Sequence, residues 1–153
     1  MTEKKGRIIT ASISSIKNLN CNEIWQITRS GKEIPGAIWV PHLAPSSGLF
    51  KQYLNEWKGT NPELWWPQYV ERFTEELNRK EALNTLRALW KAIQSGKNIG
   101  LVCFCKSPDY CHRTLVGEFM KKYNIEVTEY IDENLISPPL DENYIQYEQP
   151  NLF

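Results

Sequence analysis

The sequence predicts one α/β domain, with a mainly parallel sheet flanked by helices in a Rossmann-like three-layer arrangement. Three observations carry this. The chain has 153 residues, the size of one ordinary domain, enough to bury a core without disulfides or a metal. The run Asn98 to Cys105 is continuously apolar after a helical stripe, the pattern of a strand covered on both faces. The second half of the chain then reads helix, strand, helix, strand, an order that suggests parallel pairing with right-handed crossovers.

Taken in order, Arg7 to Ile13 is rich in β-branched residues and reads as a strand, followed by a polar loop containing Cys21. Glu23 to Thr28 alternates polar with apolar, a second strand, and Ser30-Gly31-Lys32 is a turn. Ala37 to Val40 is a short third strand closed by Pro41, whose ring removes a ladder donor. Leu49, Phe50, Tyr53, Leu54 and Trp57 recur at the helical period, so a serine-capped helix spans about Ser47 to Trp57, with Gly59 just beyond it.

A second helix starts near Asn61-Pro62 or again at Pro67. Its inward stripe is Trp66, Tyr69, Val70, Phe73 and Leu77, and its outer face carries Glu71, Arg72, Glu75 and Glu76. A third helix, Glu81 to Ser95, points Leu83, Leu86, Trp90 and Ile93 inward and stops at Gly96. After the Asn98 to Cys105 strand and the polar turn Lys106 to Asp109, Leu115, Val116, Phe119, Met120 and Tyr123 mark a fourth helix. Ile125 to Ile131 returns as a strand. The domain thus covers residues 1–131. Residues 132–153 turn acidic and proline-containing, with Tyr144, Tyr147 and Phe153 as the few anchors, and read as a tail packed on the domain or partly disordered.

Lysine plus arginine and aspartate plus glutamate both number 18, so the whole-chain field gives no broad attraction for nucleic acid. No long apolar run or apolar leader is present, and a cytoplasmic protein without a membrane span is expected. Three of the four cysteines, Cys103, Cys105 and Cys111, crowd into nine residues. In a reducing compartment that crowding points to thiol chemistry or metal binding rather than disulfides.

Cys103 and Cys105 sit two apart on one strand, so the pleat sends both side chains to one face. The helix that follows starts at Ser107-Pro108 or at Asp109, which places Cys111, His112 and Arg113 in or beside its first turn. Three chemistries fit. Cys111 or Cys105 is a lowered-pKa nucleophile beside His112 or Arg113; Arg113 and Lys106 hold an anion at the helix start; or Cys103 or Cys105 with Cys111 and His112 ligates zinc. The zinc spacing departs from the usual two-residue gap, and adjacent Cys111 and His112 rarely share a metal.

Plainer roles stand beside these. Cys103 is a small buried hydrophobe, His112 caps a neighbouring carbonyl, Arg113 pairs with Glu118 or Asp109, and Cys21 is incidental. His42 lies in the loop from the third strand to the first helix, which can reach the carboxyl edge of the sheet where open α/β folds bind ligands. Ser46 and Ser47 add hydroxyls there, and Arg29 follows the second strand in the same way.

The segment Cys103 to Arg113 resembles the domain of unknown function 488 (DUF488) family, whose signature is a strand-end cysteine, a short polar turn and Cys-His-Arg at a helix start. Leu43-Ala44-Pro45-Ser46, Trp57, Trp66, Tyr69, Phe73, Glu76 and Leu77 are similar to a second region of that family. Cys103, Cys111, His112 and Arg113 match the pattern, while Cys105 stands where an acidic residue is frequent. Thr28-Arg29-Ser30 and Ile34-Pro35 are partial counterparts of its N-terminal arginine-proline stretch. The resemblance implies an α/β domain with no established reaction.

The expected site therefore takes Cys111, His112 and Cys105 as catalytic, with Arg113, Arg29, His42 and Lys106 binding substrate, no cofactor and no assigned metal. The expected partner is a phosphate-bearing small molecule or nucleic acid. Rival readings are a non-catalytic nucleic-acid or protein-binding module that uses exposed Trp25, Trp39, Trp65 and Trp66, and a zinc-stabilised structural module.

Overall fold

A computed structural model describes residues 5–31 and 34–131. The expected C-terminal tail and Lys32 of the expected turn lie outside the described residues. Five strands, β1 (Ile8–Ser12), β2 (Glu23–Gln26), β3 (Ile38–Trp39), β4 (Ile99–Cys103) and β5 (Val127–Glu129), form one parallel sheet in the order β3-β2-β4-β1-β5. β4 is central and buried along its whole length, in register with β1 (Ser12 against Cys103) and with β2 (Gln26 against Val102). The apolar run marked it for that place, since a strand with neighbours on both sides and layers on both faces has no surface left for polar side chains.

The sheet is flanked by α1 (Ser47–Gln52, continued by a π-helical turn Tyr53–Trp57), α2 (Pro62–Leu77), α3 (Lys80–Gln94) and α4 (His112–Lys121). The two covering layers differ in thickness. Buried residues of all four helices join one large core, while the opposite face is closed over Ala11, Ile24 and Val102 by Ile13, Ile16 and Leu19 of a 3-10 segment, Ile13–Asn18, and the residue after it. Gly6 sits so close to the backbone that a Cβ there would lie 1.7 Å from the Lys97 carbonyl oxygen. No helix among the described residues is long and apolar enough to cross a membrane.

The helix starts follow their capping chemistry. Ser46 caps α1, its Oγ accepting from Leu49 N at 3.2 Å, and Asn61 Oδ1 accepts from Glu63 N at 3.1 Å, which selects the earlier of the two possible starts of α2. Two stripes are rotated from their expected places. In α3 the buried positions are Ala82, Leu86, Leu89 and Ile93, and Trp90 is 41% exposed. Both stripes share Leu86 and Ile93 at helical spacing, so periodicity alone does not choose between them. In α2 the stripe runs Trp65, Tyr69, Phe73, Glu76 and Leu77, which carries Glu76 into the interior rather than onto the outer face. Trp65 stacks on Trp57 at 5.6 Å, and Trp66 is only partly covered.

Candidate functional site

The expected catalytic residues come together at the carboxyl end of β4. Pleat parity holds there: Cys103 and Cys105 both enter the large core, whereas Val102 faces the smaller one. The chain returns through Tyr110, whose φ of 56° is rare for a side chain of that size, and α4 opens only at His112 with Cys111 in extended geometry before it. The expected caps Ser107 and Asp109 instead form a local turn, with Asp109 N donating to Ser107 Oγ at 3.1 Å. Tyr110 packs its ring against Trp65 and Trp66, which anchors the turn.

Cys103, Cys105, Cys111, His112 and Arg113 are all essentially inaccessible. The sulfurs of Cys103 and Cys111 are 3.2 Å apart, and Arg113 Nη1 lies 3.3 Å from the first and 3.8 Å from the second. Burial opposes ionisation of Cys103. Thiol donation from Cys105 and Cys111, with the charges of His112 and Arg113, outweighs it and holds the Cys103 thiol well below its ordinary range. Cys105 and Cys111 go the other way, raised by burial and by their bonds to Cys103. His112 is pushed down by burial, and its Nε2–H donates to Ile27 O at 2.6 Å. Of the three thiols, Cys103 is thus the one shifted down, while the expected nucleophiles Cys105 and Cys111 are shifted up.

Arg113, expected at an anion site open to ligand, is instead consumed inside the protein. Its Nε and Nη2 bond Glu129 Oε1 and Oε2 at 3.1 and 2.8 Å, and Nη1 donates to Cys105 O at 2.6 Å. Burial alone would lower its pKa, but the Glu129 pair raises it above the ordinary arginine range. Thr10 Oγ1 donates to Glu129 Oε1 at 2.7 Å and steadies the carboxylate. The partner is therefore neither Glu118 nor Asp109. The cleft beside the start of α4 is lined by Asp109, Glu118 and Glu129 with Lys121, a poor setting for an anion. Lys106 is exposed and lines neither this cleft nor the cavity described next.

Arg29 and His42 fall elsewhere, and together. They line a cavity of about 310 Å³ with Ser46, Glu76 and Arg79 beyond the carboxyl ends of β2 and β3. Glu76 is 9% exposed. Its Oε1 accepts from Ser46 N at 2.8 Å, and its Oε2 accepts from Ser46 Oγ in a short contact. The cavity and the sulfur cluster are linked through two short stretches of chain. Ile27, whose carbonyl accepts the hydrogen bond from His112, is two residues before Arg29, and Phe73, one helical turn before Glu76, packs edge-on against His112 at 5.8 Å.

Of the tryptophans considered for stacking on nucleic acid, Trp25 and Trp65 are buried and Trp66 is partly so. Trp39 is 43% exposed, with its Nε1 donating to Thr28 O. That removes most of the warrant for an aromatic platform. Glu76, Arg79 and Glu129 were not foreseen as site residues. Glu76 carried a usable signal, since it follows Tyr69 by seven and Phe73 by three on the inward stripe. Glu129, sixteen residues from Arg113, carried none at the level of spacing.

A family model described as "Active DUF488-N3 subclade" matches residues 8–124. No curated protein and no solved structure matches the chain.

Proposed function

The chain belongs to the DUF488 family, and on that footing we propose that it is an enzyme acting on a phosphate-bearing small molecule of the nucleotide class. The substrate occupies the cavity beyond β2 and β3. One observation carries the reading: two guanidinium groups, an imidazole, a hydroxyl and two carboxylates, Glu81 and the mostly buried Glu76, line a single cavity of about 310 Å³ at the end of a parallel sheet where such folds bind ligands. Arg29 and Arg79 take the phosphate, as planar donors suited to its oxygens. Glu76, held by the N–H and O–H of Ser46, moves the proton. The subclade's description as active supports catalysis over a purely structural role.

The Cys-His-Arg segment has a different part in this reading. Its side chains are sealed from solvent, so they support the cavity from behind, through Ile27 two residues before Arg29 and Phe73 one turn before Glu76, and do not touch the reacting atoms.

Calorimetric titration with inorganic phosphate and a panel of nucleoside monophosphates tests the proposal. Loss of one charge-assisted contact is worth about 1.5–3 kcal/mol, so Arg79→Ala and Arg29→Ala each weaken binding by roughly ten-fold to a hundred-fold. Both variants keep the native circular dichroism spectrum. Equal affinity in the wild type and both variants, or no affinity for any phosphate ligand in the wild type, overturns the reading.

A further inference from the structure

We propose that the buried cluster under the cavity is a zinc site, with Cys103, Cys105, Cys111 and His112 as the four ligands. One ligand atom each from Cys103, Cys111 and His112 lie within 4.8 Å of one another, all in the core. Cys105, two residues beyond Cys103 on the same face and fully buried in the same core, supplies the fourth. Three thiols and an imidazole gathered in an apolar interior form the Cys₃His donor set that a thiophilic, redox-inert divalent ion takes in structural sites.

The geometry fits without rebuilding the fold. Sulfur ligands at about 2.3 Å from zinc stand about 3.8 Å apart at tetrahedral corners, so the 3.2 Å gap between Cys103 and Cys111 opens by roughly half an ångström. Adjacency of Cys111 and His112 is no obstacle here. The backbone changes from extended at Cys111 to helical at His112, and both side chains still reach Cys103. His112 Nε2–H donates to Ile27 O at 2.6 Å, an outer bond of the kind that orients a ligating imidazole.

A cation also lies beside the site, shared with Glu129. Three thiolates and Zn²⁺ leave a net single negative charge, and the Arg113 guanidinium that donates to Cys103 Sγ at 3.3 Å lies against it. Binding displaces the protons of the ligating thiols to solvent, with no change of oxidation state. The ion ties the end of β4 to the start of α4, independently of what the cavity binds.

Elemental analysis and cobalt substitution of the full chain test this. Protein purified under reducing conditions carries about one zinc per chain, released when a mercurial blocks the thiols. Co²⁺ added to the reduced, metal-free chain gives thiolate-to-cobalt charge transfer and the intense visible bands of a tetrahedral site. That charge-transfer band loses roughly a third of its intensity in Cys105→Ser, in step with one of three sulfurs, and is unchanged in Cys21→Ser. If Cys105→Ser does not fold, the wild-type stoichiometry and spectrum decide alone. Absence of zinc together with a weak, octahedral cobalt spectrum, all thiols being reduced, overturns the site. A folded Cys105→Ser with an undiminished band overturns the ligand set. Neither result alters phosphate binding at Arg29 and Arg79, which is measured separately.

Discussion

Arg113→Ala lowers folding stability by about 3–5 kcal/mol, the cost of removing one partner from a buried, hydrogen-bonded ion pair. The magnitude follows from what is left behind. Arg113 is fully buried and satisfies both oxygens of Glu129, the Cys105 carbonyl and the Cys103 sulfur. Its removal leaves a partly covered carboxylate, an orphaned carbonyl and a buried Cys103 sulfur that has lost a donor. For a chain of this size the melting temperature falls by roughly 10–20 °C. Arg113→Lys keeps the charge but loses the two-point geometry with Glu129, and so costs less, about 1.5–3 kcal/mol. Thermal unfolding followed by circular dichroism measures both. An Arg113→Ala chain with wild-type stability that has lost only ligand binding would restore the anion-binding role read from sequence.

Phe73→Ala is the second large effect, about 3–5 kcal/mol from lost transfer energy and the cavity left behind. Phe73 has no exposed surface, stacks on Tyr69 with centroids 6.0 Å apart and meets His112 edge-on. The substitution empties the partition between the sulfur cluster and the Glu76 cavity. Trp90→Ala removes a larger side chain at lower cost, below about 1 kcal/mol, since Trp90 lies at the exposed margin of α3. Urea unfolding midpoints rank the two. Equal losses would place the α3 stripe as periodicity alone suggested, with Trp90 inward.

The contrast marks how far sequence reasoning reaches. The central strand, the helix order and the parallel sheet were legible because each rests on a local pattern: a continuous apolar run, helical spacing and alternation of element types. The rotation of α3 was not, because Leu83 and Trp90 form as good a stripe with Leu86 and Ile93 as Ala82 and Leu89 do. At the site, Cys103, Cys105 and Cys111 were legible as a group, and so was the shared location of Arg29 and His42 at strand ends. Their division into a sealed cluster and an open cavity was not. It depends on Glu129 of β5 meeting Arg113 of α4, and on Glu76 of α2 meeting Ser46 before α1, two long-range pairings that residue spacing does not encode.

Amide chemical-shift mapping during titration with a nucleoside monophosphate tests the central claim most directly. The account predicts saturable shifts at Arg29, His42, Ser46, Glu76 and Arg79, with little change at Lys106, Asp109 and Thr114. Shifts centred instead on Lys106 to Thr114 would contradict it, and would return the ligand to the start of α4.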